Sequence, residues 1–225
     1  MKIATYLLLL FVFQLRGESV DMLTLEGLGR YDPKSKQMAF ETTELLTDAL
    51  LLRFVKQVKG EVRQLHLHGC TSLTGQGMAN AISNINHLEC LSVTWCNDGM
   101  AAVQATAKHH RCSIRKINVG VWVTYMSEKE YKTDKLLQIM NAKQEVAFYE
   151  DSPVKELANC PKLTQLFLGH FYDHKSQFKA ELNVALSKGK LGQLKRVCLG
   201  SDGQFRIAKM KLVPDERGKK QSLQD

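Results

Sequence analysis

Three segments of the chain align without gaps: Val62 to Cys70, Leu88 to Cys96 and Ile114 to Val119. Their apolar centres fall at Leu65, Leu91 and Ile117, a step of 26 residues each time. One such pattern means little, but a fixed step carried through three copies marks a repeat architecture. Inside each copy apolar and polar residues alternate, with Leu65 and Leu67 set against His66 and His68, as in a short strand with one buried face. Helix-like stretches lie between the strands. After Gly77, Met78, Ala81 and Ile82 form one apolar stripe; before Lys59, Leu45, Ala49, Leu52 and Val55 form another, with Thr42 or Thr43 placed to cap its start. A strand, a turn and a helix cannot bury their apolar faces alone, whereas stacked copies share a continuous core. The period therefore predicts an α/β solenoid, a horseshoe or arc, with a short-stranded parallel sheet and outer helices.

Two weaker copies follow at Leu163 to Gly169 and Leu194 to Gly200, and a sixth candidate, Val20 to Gly27, lies upstream. The step of 42 from Leu23 to Leu65 exceeds one repeat. Its surplus is expected on the outer face, where insertions leave strand register untouched. The stretch after the third strand is irregular: Asp134 to Gln144 reads as a helix, Val146 to Tyr149 as a strand or a helix extension, and Pro153 opens a helix to Ala158. Lys175 to Leu186 reads as another outer helix, ended by Gly189. The domain reading is residues 1–17 as a signal segment or apolar cap, 18–212 as the repeat domain with an irregular segment at 120–160, and 213–225 as a flexible basic tail.

Hydrophobic residues make up 44% of the 225, enough for one continuous core. Lysine and arginine outnumber aspartate and glutamate by 31 to 23, for a net charge of +8. Much of that excess lies in Lys188 to Arg196 and Arg206 to Lys220, which favours acidic partners. Six irregularly spaced cysteines, without a CxxC pair, give neither a disulfide framework nor a zinc ribbon. Lys2 and the apolar run Leu7 to Phe13 have the charged and apolar parts of a secretory signal, but the run is too short to span a membrane. Its exit, Gln14-Leu15-Arg16-Gly17, lacks a small-residue cleavage pair. Cleavage would place the chain in the secretory pathway, whereas the free-thiol pattern favours the cytoplasm or another intracellular compartment. Both alternatives stand at this point.

The stretch Val62 to Cys96 resembles the cysteine-containing subclass of leucine-rich repeats, the type found in the recognition part of F-box proteins. The resemblance rests on Leu65-His-Leu67-His-Gly-Cys70, followed by Leu73-Thr-Gly-Gln-Gly-Met-Ala-Asn-Ala-Ile82, which matches the family's cysteine, turn and helix. Gly75 stands where the family usually has aspartate or asparagine, and Cys96-Asn-Asp-Gly-Met100 shortens the second turn. Recognisable units cover about half of the chain. The resemblance implies that Cys70 and Cys96 are buried structural cysteines that satisfy backbone groups where the chain turns. Cys112 and Cys160 are expected to face the core near helix ends. No stretch is left over for an F-box, so the ligase-adaptor role is not carried across.

In such an architecture the strand residues that point away from the core line the concave face. This selects Gln64, His66, His68, Ser92, Thr94, Trp95, Lys116, Asn118, Gln165, Phe167, His170 and Arg196 as protein-binding candidates. Trp95 and Phe167, as large apolar side chains facing water, are the natural anchors. His66 and His68 share a strand face, but no aspartate or glutamate joins them there, so neither a metal nor another cofactor is assigned. The chain has no G-x-S-x-G, H-E-x-x-H or Walker loop, and stacked repeats seldom supply the deep pocket that chemistry needs. The reading is a noncatalytic recognition module whose partner is another protein. Nonspecific nucleic-acid binding through the basic C-terminal region is the alternative, and a hydrolytic enzyme built from distant residues is a lesser one.

Overall fold

The computed structural model describes residues 23–25, 27–41, 43–96, 99–125, 154–173, 177–199, 203–208 and 211–214. Among the described residues, ten strands form one open sheet: β1 Leu23–Leu25, β2 Gly29–Asp32, β3 Gln37–Glu41, β4 Gln64–His68, β5 Cys90–Thr94, β6 Lys116–Tyr125, β7 Gln165–Asp173, β8 Arg196–Leu199, β9 Gly203–Ala208 and β10 Lys211–Pro214. They lie side by side in sequence order. The strands from β3 to β8 run parallel, while β1 and β2 at one end and β9 and β10 at the other pair antiparallel. Five helices among the described residues accompany them: α1 Asp48–Gln57, α2 Gly75–Ser83, α3 Gly99–His109, α4 Val154–Leu157 and α5 Gln177–Ser187. The molecule is thus α/β, with a mostly parallel sheet that does not close into a barrel.

The alternation of the sequence becomes two continuous rows of buried side chains. Met38, Leu65, Leu91, Ile117, Leu166 and Val197 are successive register partners; so are Phe40, Leu67, Val93, Val119, Leu168 and Leu199. Every one of these is buried. Full burial of such a side chain contributes about 1.5–3 kcal/mol, so the rows are the main force holding strand to strand. Leu51, Phe54 and Val55 of α1, Met78, Ala81 and Ile82 of α2, and Phe178 and Leu182 of α5 belong to the same apolar cluster. The helices therefore cover the face that carries the rows, and among the described residues no helix lies on the opposite face, the open face of the sheet. The Phe40 ring stacks on Phe54, centroids 5.8 Å apart, tying β3 to α1.

Entry into each parallel strand is made the same way. The carbonyl of Lys36 accepts from the backbone N–H groups of Arg63 and Gln64, that of Arg63 from Glu89 and Cys90, and that of Glu89 from Arg115 and Lys116. Arg115 and Thr164 continue the series to β7 and β8. This shared geometry sets register at the first residue, and the buried rows maintain it.

Several expectations are corrected. Leu23 does not begin a parallel unit, since β1 pairs antiparallel with β2. The strand next to β4 is β3, where Met38 opposes Leu65, a step of 27 residues rather than 42. Helix α1 is capped by Thr47, whose hydroxyl accepts from the Leu50 N–H, and not by Thr42 or Thr43. Its buried stripe is Leu51, Phe54 and Val55; Ala49 is exposed, and Leu45, ahead of the helix, is 71% exposed. The predicted irregular segment begins as strand, because β6 continues to Tyr125. The basic tail expected from residue 213 overlaps β10, which runs to Pro214. Residues 1–17, the proposed helix at 134–144 and residues 215–225 lie outside the described residues. Among the described residues, no helix is long and apolar enough to cross a membrane.

Candidate functional site

The open face is built from the strand positions between the buried rows. Gln37, Gln64, Cys90, Lys116, Gln165 and Arg196 form one outward row, and Ala39, His66, Ser92, Asn118, Phe167 and Cys198 form the next. Glu41, His68, Thr94 and Gly120 begin a third. Eleven of the twelve predicted contact residues are therefore strand residues, and ten of these fall in the three rows. The eleventh, His170, belongs to β7 beyond the rows, and its side chain lies outside the described residues. His68, Lys116, Asn118 and Arg196 are exposed, whereas Gln64, His66, Ser92, Thr94, Gln165 and Phe167 are half-buried.

Trp95 departs from the strand rule. Strict alternation would turn it inward after Thr94, but β5 ends at Thr94 and Trp95 has φ +56°, in the left-handed region. That bend swings the side chain out to 57% exposure. One unit earlier the same position is Gly69, with φ +62°. Both residues extend the ladder by one bond, Gly69 N–H donating to the Thr94 carbonyl at 2.8 Å and Trp95 N–H to the Gly120 carbonyl at 3.2 Å. Glycine adopts this conformation freely, while a side-chain-bearing residue incurs about 1–2 kcal/mol. Gly120 leaves room beside it, as a Cβ there would come within 3.0 Å of the Thr94 methyl group.

Local hydrogen bonds order the face. His68 Nδ1 lies 2.7 Å from the Thr94 hydroxyl, and the Asn118 amide donates to Ser92 Oγ at 3.3 Å. His66 Nε2 is buried without a hydrogen-bond partner, and burial lowers the pKa of that ring below the usual histidine value, with Arg30 adding to the shift. The imidazole is therefore neutral at pH 7. Among the described residues no group of three or more histidine, cysteine, aspartate or glutamate side chains could hold a metal ion.

Cys70 and Cys96 are buried at the turns that follow β4 and β5. The Cys70 thiol donates to the His68 carbonyl at 3.5 Å; that of Cys96 reaches the carbonyls of Thr94 at 3.5 Å and Leu67 at 3.6 Å. Cys160 is likewise buried, and burial pushes its thiol up to about 11. Cys112 is the exception: it is exposed, because it lies in the turn after α3 rather than on the helix face.

A charged edge borders the first outward row where the chain enters the strands. Arg63 pairs with Glu89 at 3.4 Å, His87 with Glu89 at 3.4 Å, and Arg115 with Glu89 at 3.7 Å, while Lys36 pairs with Glu61. A cavity of about 220 Å³, lined by Lys36, Gly60, Glu61, Arg63 and His87 among others, opens at this edge. It is smaller than the ~300–1,000 Å³ of ordinary ligand pockets. Arg30, Glu41, Cys90 and Cys198 were missed as members of the face. The alternation that selected Gln64 and Phe167 also selects Cys90 and Cys198; Arg30 and Glu41 required knowledge of β2 and β3.

A scan against protein-family models and searches of curated proteins and of solved structures found no match for the chain.

Proposed function

We propose that the chain is a noncatalytic recognition module, a leucine-rich-repeat solenoid whose concave sheet face binds another protein. One observation carries the reading. At the turn after β5, where glycine would relieve strain and where the preceding unit has Gly69, the chain holds an exposed tryptophan in left-handed conformation. Backbone strain and an exposed indole both work against the isolated fold, and both are accounted for if Trp95 is a binding anchor. Half-buried Phe167 and the ordered polar groups of Ser92, Thr94 and Asn118 supply the mixed apolar and polar surroundings of such an anchor.

The reading is tested by placing a photo-crosslinking phenylalanine analogue at residue 95 in the full chain and irradiating it in extract from its native cells. A discrete adduct should form, should be competed by excess wild-type chain, and should resist competition by Trp95→Gly chain of unchanged far-UV circular dichroism. Equal competition by the two chains would remove Trp95 from the interface and the proposal with it.

A further inference from the structure

The cations of the open face and its entry edge fall into two groups. On the β2 to β5 half they are matched: Arg30 pairs with Glu41 at 3.5 Å, Lys36 with Glu61, and Arg63 with Glu89 at 3.4 Å. Glu89 also reaches across to Arg115. On the β6 to β8 half, Lys116, Lys195 and Arg196 are exposed and have no ion-pair partner among the described residues. Lys116, Gln165 and Arg196 are successive register partners, and Arg196 is in turn directly opposed to Arg206 of β9. Glu89 stands between Arg63 and Arg115 on one half, whereas the corresponding place on the other, between Arg115 and Lys195, is held by Thr164.

Resting on the protein-recognition reading, we propose that this unneutralised band docks an acidic polypeptide segment. The three strands β6 to β8, spaced by about 4.8 Å, give the band a span of about 10 Å, the length of roughly three extended residues. The row beside it holds Asn118 and Phe167, an amide for a peptide backbone and an aromatic ring for an apolar residue between the acidic ones. A longer polyanion such as a nucleic acid is less well served. Continued toward β2, it would meet cations already paired with Glu89, Glu61 and Glu41, which offer it no unmatched charge.

The test uses the full chain and fluorescence anisotropy with three labelled probes: a short glutamate peptide containing one phenylalanine, the same peptide with glutamine for glutamate, and a single-stranded oligonucleotide. The acidic peptide should bind at about 50 mM salt and weaken as salt screens the contact. The glutamine peptide should bind at least about tenfold more weakly. Lys116→Glu with Arg196→Glu should lower acidic-peptide affinity by about tenfold or more. Lys116→Gln with Arg196→Gln should lower it less, and this milder pair guards against a folding defect. No binding of the acidic peptide at low salt, or binding indifferent to both substituted pairs, overturns the inference. Tighter binding of the oligonucleotide, lost on the same substitutions, overturns it in favour of nucleic acid. If the peptide fails while Trp95-dependent crosslinking persists, protein recognition stands and only the acidic partner falls; if both fail, the open-face reading falls too.

Discussion

Asp48 and Gly77 make the clearest energetic test of how neighbouring units are joined. The first residue of α1, Asp48, reaches across to the start of α2. Its carboxylate accepts the Thr74 N–H at 2.9 Å and the Thr74 hydroxyl at 2.6 Å, while Thr74 Oγ1 accepts the Gly77 N–H at 3.0 Å. Gly77 provides the space. A Cβ built there would stand 1.9 Å from Asp48 Cγ and 2.0 Å from Oδ1. Replacing a helical glycine by alanine ordinarily stabilises by about 1 kcal/mol. Here the carboxylate must withdraw, losing two hydrogen bonds that are partly open to solvent and so worth about 1 kcal/mol each. Gly77→Ala should therefore destabilise by about 1 kcal/mol, lowering Tm by about 2–4 °C in a chain of this size. In the Asp48→Ala background the clash is gone, and the same substitution should stabilise by about 1 kcal/mol. Urea unfolding of the four proteins closes the cycle, with a coupling of about 2 kcal/mol. If Gly77→Ala stabilises both backgrounds equally, the carboxylate is not held over the glycine and the clamp is refuted.

Other substitutions probe the core and the face separately. Leu91→Ala opens a cavity in a fully buried row and should cost about 2–5 kcal/mol, whereas Trp95→Gly releases a left-handed residue and should stabilise by about 1 kcal/mol, both read by urea midpoint. The Thr106 hydroxyl is buried without a partner, so Thr106→Val should leave thermal stability unchanged or raise it by about 1 kcal/mol. Buried His110 accepts the Leu88 N–H on Nδ1 at 3.4 Å and donates from Nε2 to the Ile82 carbonyl at 2.9 Å, an arrangement that only the neutral ring supports. Burial lowers its folded pKa below the ordinary 6.5, against a smaller opposing effect of the Ile82 bond. The unfolded chain then binds more protons, so stability is full above pH 6.5 and falls as pH drops through the folded value. His66 acts in the same direction. Urea midpoints between pH 8 and pH 5 should show this decline, and His110→Gln should flatten part of it; an unchanged slope would mean that the ring is not buried neutral.

The strands β4 to β6 were legible because period and alternation are local properties of the chain. Leu65, Leu91 and Ile117 announce equivalent positions, and a one-residue slip would turn each apolar set outward. Most of the candidate face follows from the same alternation. The strand Gln37–Glu41 was hidden because its unit arrives out of a β2–β3 hairpin rather than a helix, so the spacing back to Leu23 misled. The antiparallel pair at the other end was unreadable for a similar reason, since β9 and β10 do not continue the repeat pattern.

Residues 26 apart in sequence become neighbours only when the strands pair, and that distance separates what could be read from what could not. The amino-acid sequence by itself determined which residues of β4 to β6 face inward and that an overall excess of cations exists. Tertiary structure alone decided which of those cations are matched. Glu89 neutralises Arg63 and Arg115 because register sets it between them, whereas Lys116 and Arg196 have no ion-pair partner among the described residues. It likewise decided the conformation of Trp95, whose backbone is held by a carbonyl 25 residues further on, at Gly120. Pairing through space, which no local pattern encodes, sets both the charge balance of the face and the direction of the exposed Trp95 ring.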